Sequence, residues 1–407
     1  MVERFSGEWR TTTIDDCAEI LQGGTPGTKN PAYWGGNIIW VTPSEVTKLQ
    51  SMYIDKSERK ITQEGLKHSS ATIVPAGTIL LCSRATIGEL AIAAKPMTTN
   101  QGFKNLICRK HVNNIFFAYL LKTLKKEMIT LAAGTTFLEL SKSNLKTIPV
   151  TLPPIDEQIA IADTLSAFDR HLANLSELIA KHEGIRAGAL DDLVSGRTRL
   201  PGFSGEWETV KLGEIASVQD GTHGSFARAK TGRLLLSAKN VLDNHLEITN
   251  DERLVSQADY EKITANGYPR VGDVLMCCVG TIGRCCVLDR DDVAFQRSVA
   301  FIRPHKFNNK YLSYLIQSRQ VQQEIARSVN ASAQGGIYLK ALKQITLTLT
   351  PDVDEQIAIA QTLSDLDNNI TNLKAEHAKI SALRSAAIND LLTGTIRLPR
   401  VHSASML

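Results

Sequence analysis

Four cysteines in the second half of the chain are the residues best suited to hold a metal ion. They occur as two adjacent pairs, Cys277 with Cys278 and Cys285 with Cys286, and thiolates are preferred ligands of zinc. Adjacent residues of a strand point to opposite faces, so one pair cannot direct both sulfurs to one ion. In an internal repeat of the sequence, the corresponding residues are Cys82, Ser83, Leu90 and Ala91. We therefore predict small core residues here rather than a zinc site.

Two short stretches have the residue types of catalytic sites. Asn30-Pro31-Ala32-Tyr33 is similar to the Asn-Pro-Pro-Tyr loop that holds a flipped adenine in methyltransferases, but the second proline and a nearby glycine-rich cofactor turn are missing. Glu58-Arg59-Lys60 fits half of a metal-dependent nuclease site, yet its nearest preceding aspartate, Asp55, is too close in sequence. We expect Tyr33 and Trp34 to pack or to touch DNA, and the charged run to be solvated.

Other chemistry is not evident from the sequence. No Gly-x-x-x-x-Gly-Lys-Ser/Thr loop occurs, so an internal ATPase motor is not predicted. His182 and His377 lie on or beside an apolar helical stripe without a second ligand at helical spacing, and we assign them no role in chemistry.

Composition and charge narrow the class of protein. The chain has 407 residues, which predicts two or three domains, and no apolar run long enough to span a membrane. The first residues lack a secretory signal and the seven cysteines are an odd number, which favours a cytoplasmic protein without disulfides. Residues 1–151 and 203–349 carry net charges of +6 and +3, whereas 152–202 and 350–407 carry −3 and −2. Two basic blocks suit a polyanionic partner.

The sequence is one unit written twice. Phe-Ser-Gly-Glu-Trp at 5–9 recurs at 203–207, and the ten residues at 156–165 recur with one change at 354–363, both at an offset of 198. Within the basic blocks the offset is 195, as for Gln101 and Gln296. The repeat predicts four segments: block one at 1–151, helical region one at 152–202, block two at 203–349 and helical region two at 350–407.

The two helical regions predict long helices that pair. Apolar residues at alternating steps of three and four form a coiled-coil stripe in each, namely Leu165, Phe168, Leu172, Leu175, Ile179 and Leu363, Leu366, Ile370, Leu373. Acidic residues follow a proline at each start, and Gly196 and Gly394 mark the ends. Short connections then require an antiparallel coiled coil and a pseudo-twofold arrangement.

The blocks themselves predict α+β domains. Short apolar runs predict strands at 37–42, 78–82, 274–279 and 285–288, and longer patterns predict helices at 14–21, 115–131 and 310–325. Turn-rich stretches at 23–36 and 221–232 open the blocks as loops that can approach a ligand.

The order and duplication of these motifs resemble one family. The carriers are Leu21-Gln-Gly-Gly-Thr-Pro26 followed by Tyr33-Trp-Gly-Gly36, the Thr-Ile-Gly turn in both blocks, and Pro-x-x-Asp-Glu-Gln before each long helix. The chain resembles the specificity subunits of type I restriction-modification systems, which serve DNA methylation and antiviral defence. The resemblance implies two target-recognition domains joined by the helices.

The resemblance also implies the partners. Two adenine-N6 methyltransferase subunits would dock on the helices and carry S-adenosylmethionine, and motor-nuclease subunits with ATP and Mg would complete the restricting complex. This chain would bind double-stranded DNA and have no catalytic residues of its own.

Donor and acceptor side chains on the block loops are the candidates for DNA contact. In block one they are Thr25, Lys29, Tyr33, Ser44, Lys48, Arg84, Asn100 and Gln101; in block two they are His223, Arg228, Lys230, Lys239, Asn240, Gln296 and Arg297. Because the blocks differ, we expect a split target with two unlike halves. A stand-alone DNA-binding or scaffold protein is the alternative, whereas a nuclease or methyltransferase is disfavoured by the missing motifs.

Overall fold

The computed structural model describes residues 7–133, 138–265, 268–330 and 335–399. Of the first Phe-Ser-Gly-Glu-Trp copy, Phe5 and Ser6 therefore lie outside the described residues. The chain divides into two compact units, Met1–Ser176 with Glu376–Leu407, and Glu177–Ala375. Each unit joins one block to parts of both long helices. No helix in the described ranges is both long enough and apolar enough to cross a membrane.

The first unit contains a five-stranded sheet, a three-stranded sheet and a two-stranded ribbon. The strands of the larger sheet, in spatial order, are Ala18–Gln22, Phe103–Cys108, Ile79–Cys82, Leu90–Ala93 and Tyr53–Ile54. The smaller sheet is Arg59–Ile61, Trp34–Val41 and Thr98–Thr99, and the ribbon pairs Arg10–Thr13 with Pro149–Leu152. The helices of this block are Ile14–Cys17, the 3-10 turn Pro31–Tyr33, Pro43–Val46, Gln63–Lys67, Asn114–Thr123, Lys125–Thr130 and Lys142–Thr147.

The second unit repeats this plan. Its four-stranded sheet has the order Ala216–Asp220, Val299–Pro304, Val274–Cys277 and Cys285–Val287. A three-stranded sheet has the order Leu254–Val255, Arg233–Leu236 and Val293–Phe295. Two two-stranded ribbons pair Val241–Leu242 with His245–Leu246, and Glu208–Lys211 with Thr346–Leu349. The helices of this block are Leu212–Ile215, the 3-10 turn Ala238–Asn240, Gln257–Thr264, Asn309–Gln317, Arg319–Asn330 and Leu339–Gln344.

The central strands are apolar throughout because both faces of the sheet are covered. In Ile79–Cys82, Ile79 and Leu81 pack on the helix that carries Phe116, whereas Leu80 and Cys82 enter a separate cluster on the other face. The second unit divides Val274–Cys277 between two clusters in the same way. The α+β fold class and the four predicted strand runs are confirmed.

The long helices cover Ile155–Val194 and Val353–Leu392, 40 residues each. Both end before a glycine in the left-handed region, with φ +71° at Gly196 and +72° at Gly394, as a helix C-cap requires. Of the predicted stripe residues, Leu165, Leu175, Leu363 and Ile370 are buried and the other five are partly buried.

The pairing of the helices is antiparallel within each unit. In the first unit, Asp169 pairs with Arg384 and His171 with Glu376 at 3.4 Å. In the second, Glu183 pairs with Lys374 at 2.7 Å, while Arg186 reaches Asp367 at 3.0 Å. Residue numbers rise along one helix as they fall along the other, which confirms the predicted direction.

Three predicted helices are wrong in detail. The stretch 14–21 makes one turn, Ile14–Cys17, and then the strand Ala18–Gln22, because Ala18 and Ile20 alternate inward and the strand pairs with Phe103–Cys108. The stretch 115–131 breaks at Leu124, where the backbone leaves helical geometry. The stretch 310–325 breaks at Ser318, whose extended ψ of 147° ends the first helix.

Candidate functional site

The loops of the first block converge at one end of its large sheet. The Thr25 hydroxyl donates a hydrogen bond to the Gln101 side chain, which joins the opening loop to the turn before strand Phe103–Cys108. Asn100 shapes that turn, because its Oδ1 accepts the Gly102 amide at 2.8 Å. The Ser83 amide donates to the Gly102 carbonyl at 2.7 Å. Four predicted DNA-contacting residues, Thr25, Arg84, Asn100 and Gln101, are thereby brought to one edge.

Arg84 belongs to a charged cluster at this edge. Its Nη2 lies 2.6 Å from Glu139 Oε2, and Glu139 Oε1 also accepts a hydrogen bond from Lys104 Nζ at 3.1 Å. Lys104 is only 1% exposed, so it depends on that carboxylate for its charge. The hydrogen bond from Arg84 is the largest of the effects that hold the pKa of Glu139 below its usual value. One carboxylate therefore serves two cations.

An aromatic group anchors the opening loop of the first block. The Arg59 guanidinium lies 3.7 Å from the ring centre of Trp34 and 5.1 Å from that of Trp40, a cation–π arrangement. The Trp40 indole donates to the Gly24 carbonyl at 2.9 Å. Tyr33 stacks on His68 with ring centres 5.6 Å apart. Tyr33 and Trp34 pack, as one of the two expectations had it, and Arg59 has a structural role.

The second block has a cavity of about 450 Å³ at the corresponding edge. Two predicted residues, His223 and Arg297, line it together. His223 Nε2 lies 2.8 Å from an Asp220 carboxylate oxygen, which places the imidazole beside the cavity. Val279 and Tyr338 add apolar surface, with exposed fractions of 48% and 53%. Gln296 is partly exposed in the same turn as Arg297.

The remaining candidates, apart from Asn240, are exposed. Arg228 donates to the Asp251 carbonyl at 3.0 Å, and Lys239 pairs with Glu252 at 2.9 Å. Exposed positions are also found for Lys29, Ser44, Lys48 and Lys230. Ser44 follows Pro43, whose ring lies against Gly102 of the first edge, and Lys239 follows Ala238, whose amide donates to the Ser298 hydroxyl at 3.1 Å, next to Arg297.

Asn240 is a correction to the predicted site. Its side chain is 2% exposed, its Oδ1 accepts the Ser237 amide at 3.0 Å, and its Nδ2 donates to the Glu247 carbonyl at 3.0 Å. The expectation of an exposed, base-reading amide is wrong here, because the amide closes a turn instead.

Glu139, Lys104, Val279 and Tyr338 were missed by sequence reasoning. For Val279 the sequence does contain a signal, because the comparison of the two copies gives an arginine in one block and a valine in the other at the same offset of 195. A search restricted to polar side chains does not find Val279, because the informative property of this position is that its residue differs between the two copies.

The four cysteines of the second block lie in the core. Cys278 and Cys285 face one cluster, whereas Cys277 and Cys286 face the other, as alternation along a strand predicted. Burial raises the pKa of Cys278 and of Cys285 to about 12. In the part of the chain that the structure describes, no group of three or more potential metal ligands occurs. Of the two helical histidines considered in the sequence, His377 has its Nε2 atom 3.2 Å from the Ser176 hydroxyl oxygen.

Comparison with known proteins gives a consistent family. The family model described as "Type I restriction modification DNA specificity domain" matches residues 6–181 and again 204–382, which reproduces the internal repeat. The MjaIX specificity subunit of Methanocaldococcus jannaschii is 36% identical over 54% of this chain, and the match spans about half (55%) of that relative. The MjaVIII specificity subunit of the same organism is 25% identical, covering 98% of this chain and 95% of the relative.

Solved structures agree on the fold. A type I restriction-modification S subunit from M. genitalium aligns with a TM-score of 0.61 at 18% identity, covering 99% of this chain and 100% of that one. The HsdS subunit from Thermoanaerobacter tengcongensis aligns at 0.51 and 18% identity, with 95% and 97% covered. The predicted resemblance is thus confirmed, and the chain belongs to the family of type I restriction-modification specificity subunits, which recognise DNA sequence.

Proposed function

We propose that each block reads one half of a split, asymmetric duplex target and that the chain is a non-catalytic subunit. The observation that supports this proposal is that one fold occurs twice, with different residues at equivalent positions of the loops. Arg84 stands beside Glu139 in the first block, whereas Val279 stands beside a cavity in the second. Two domains that share a fold but differ in their loop side chains are suited to bind two half-sites of different sequence. The net charges of +6 and +3 on the blocks support contact with phosphates.

The residues of the methyltransferase-like motif have structural tasks. Asn30 Oδ1 accepts the Ala32 amide at 3.0 Å and begins a 3-10 turn, while Tyr33 stacks on His68. Because both side chains are engaged in shaping the loop, these contacts support a recognition role for the loop rather than methyl transfer. We assign methyl transfer to partner subunits that carry S-adenosylmethionine, and translocation and cleavage to motor-nuclease subunits that use ATP and Mg.

Exposed apolar residues at the starts of the long helices support docking of two methyltransferase subunits. Ile155 and Ile159 are 36% and 42% exposed, and their repeat equivalents Val353 and Ile357 are 44% and 48% exposed. Residues four apart lie on one helix face, so each pair offers a small apolar patch. Two equivalent patches suit two copies of one partner.

The long helices would set the spacing between the half-sites. A 40-residue helix is about 60 Å long, which corresponds to more than one turn of DNA. Removing seven residues from both helices at equivalent positions preserves the apolar stripe, so we expect a changed spacer length or lost binding. Recognition of the original spacer after this deletion would contradict the assignment.

The first experiment is a map of N6-methyladenine across the host genome with and without this gene. Loss of methylation at one split, asymmetric motif supports the proposal, and unchanged methylation contradicts it. Docking is tested by copurification with the methyltransferase subunit. Ile159→Asp and Ile357→Asp should each weaken copurification, whereas Leu178→Asp, at a 39% exposed residue of the first long helix, should not.

A further inference from the structure

Arg84 and Val279 occupy equivalent positions in the two blocks. Each follows a buried central strand and forms an isolated antiparallel bridge, Arg84 with Glu139 and Val279 with Gly336. The register is fixed by the residue before each: the Ser83 carbonyl accepts the Leu140 amide at 2.9 Å, and the Cys278 carbonyl accepts the Ile337 amide at 3.0 Å. The backbone therefore places Arg84 and Val279 in the same setting, one in each block.

In the first block this position carries a cation that can be released. Glu139 neutralises Lys104, which is buried and cannot find another partner in water. The Arg84 side chain is 41% exposed, and with it the cluster has one positive charge in excess. Arg84 can therefore leave Glu139 for another acceptor without leaving a buried charge unpaired. Guanine offers such an acceptor pair, O6 and N7, in the major groove.

In the second block the same three positions have no charge. Valine replaces the arginine, Val299 replaces the buried lysine, and Gly336 replaces the glutamate. Val279 stays 48% exposed, at a cavity that Tyr338 and Arg297 also line. An exposed valine beside an aromatic ring is a surface for a methyl group, and in the major groove only thymine presents one.

We propose that this position determines base specificity in each half-site, with Arg84 contacting guanine and Val279 contacting the methyl group of thymine. The inference rests on the proposed function, because it presumes that the two edges face DNA.

The test uses the full chain in complex with its methyltransferase subunits and duplexes with altered single atoms. Replacing one guanine of the first half-site by 7-deazaguanine should weaken wild-type binding at least fivefold, and should have no further effect on Arg84→Val. Replacing one thymine of the second half-site by deoxyuridine should weaken wild-type binding about fourfold, and should have a smaller effect on Val279→Ala, whose shorter side chain contacts less of the methyl group.

Two exposed residues give matched controls. Arg10→Val and Val271→Ala repeat the two test substitutions at exposed positions away from the edges and should leave the preferred sequence unchanged. The inference is overturned if wild-type protein binds a specific sequence yet shows no sensitive guanine in one half or thymine in the other. If the wild-type complex shows no sequence preference at all, the proposed function itself fails. Atom substitutions in DNA keep the test valid even where a variant does not fold.

Discussion

Arg199 and Glu355 form a two-pronged ion pair, with Nε to Oε1 at 2.6 Å and Nη2 to Oε2 at 2.8 Å. Glu355 is fully buried in the first turn of the second long helix, and Arg199 follows the end of the first. The guanidinium also lies 5.7 Å from the Trp207 ring centre. Arg397 and Glu157 repeat the pair in the first unit at 2.5 and 2.6 Å. The same ion pair, between the start of one long helix and the segment after the end of the other, is therefore present in both copies of the repeat.

Arg199→Ala should lower the free energy of unfolding of the second unit by about 3–5 kcal/mol, because it leaves the Glu355 carboxylate buried without its cation. Differential scanning calorimetry would measure the loss as a lower midpoint for one of two transitions. Arg197→Ala is the control: Arg197 is 65% exposed and pairs with Asp192 at 2.9 Å, so it should cost less than about 1 kcal/mol. Equal losses for the two variants would contradict the assigned role.

The glycines of the helical regions should respond in opposite directions. Gly196 has φ +71°, and an added Cβ would lie 3.0 Å from the Trp207 ring, so Gly196→Ala should destabilise by about 1 kcal/mol or more. Gly184 lies inside the first long helix with open space around it, so Gly184→Ala should stabilise by about 0.5–1 kcal/mol. Thermal unfolding followed by circular dichroism checks both signs, and a gain for Gly196→Ala would refute the cap.

Tyr314 links its block to the helices. Its hydroxyl donates to Asp367 at 2.7 Å, and Asp367 also pairs with Arg186; Tyr119 and Asp169 repeat the contact at 2.6 Å. Tyr314→Phe should cost about 0.5–1.5 kcal/mol of unfolding free energy, since Asp367 keeps its other partners. Tyr53→Phe, at a 44% exposed tyrosine, should change stability by less than about 0.5 kcal/mol. Urea denaturation compares the two, and equal midpoints would argue against the link.

The sequence was informative where one strong pattern repeats. The long helices follow from an apolar stripe and from glycine stops, and the copy at offset 198 doubles that signal. It was weaker where tertiary pairing overrides local pattern, as at Ala18–Gln22, which reads as helix but pairs as a strand. Burial of Asn240 and Lys104 also depends on residues distant in sequence, so residue type alone did not place them.

Arg84→Val should change the acid titration of the first block. The Arg84 hydrogen bond is the main cause that lowers the pKa of Glu139 in the folded protein. A depressed carboxyl pKa contributes stability above the unfolded value of about 4.3, and this contribution is lost as pH falls through the folded value. Without Arg84, Lys104 alone remains, so the Glu139 pKa should rise toward its usual range and less stability should be lost on acidification. Carbon-13 NMR of the glutamate carboxyls measures the shift, with Arg10→Val as the control; an identical Glu139 titration in Arg84→Val would show that Lys104 alone sets it.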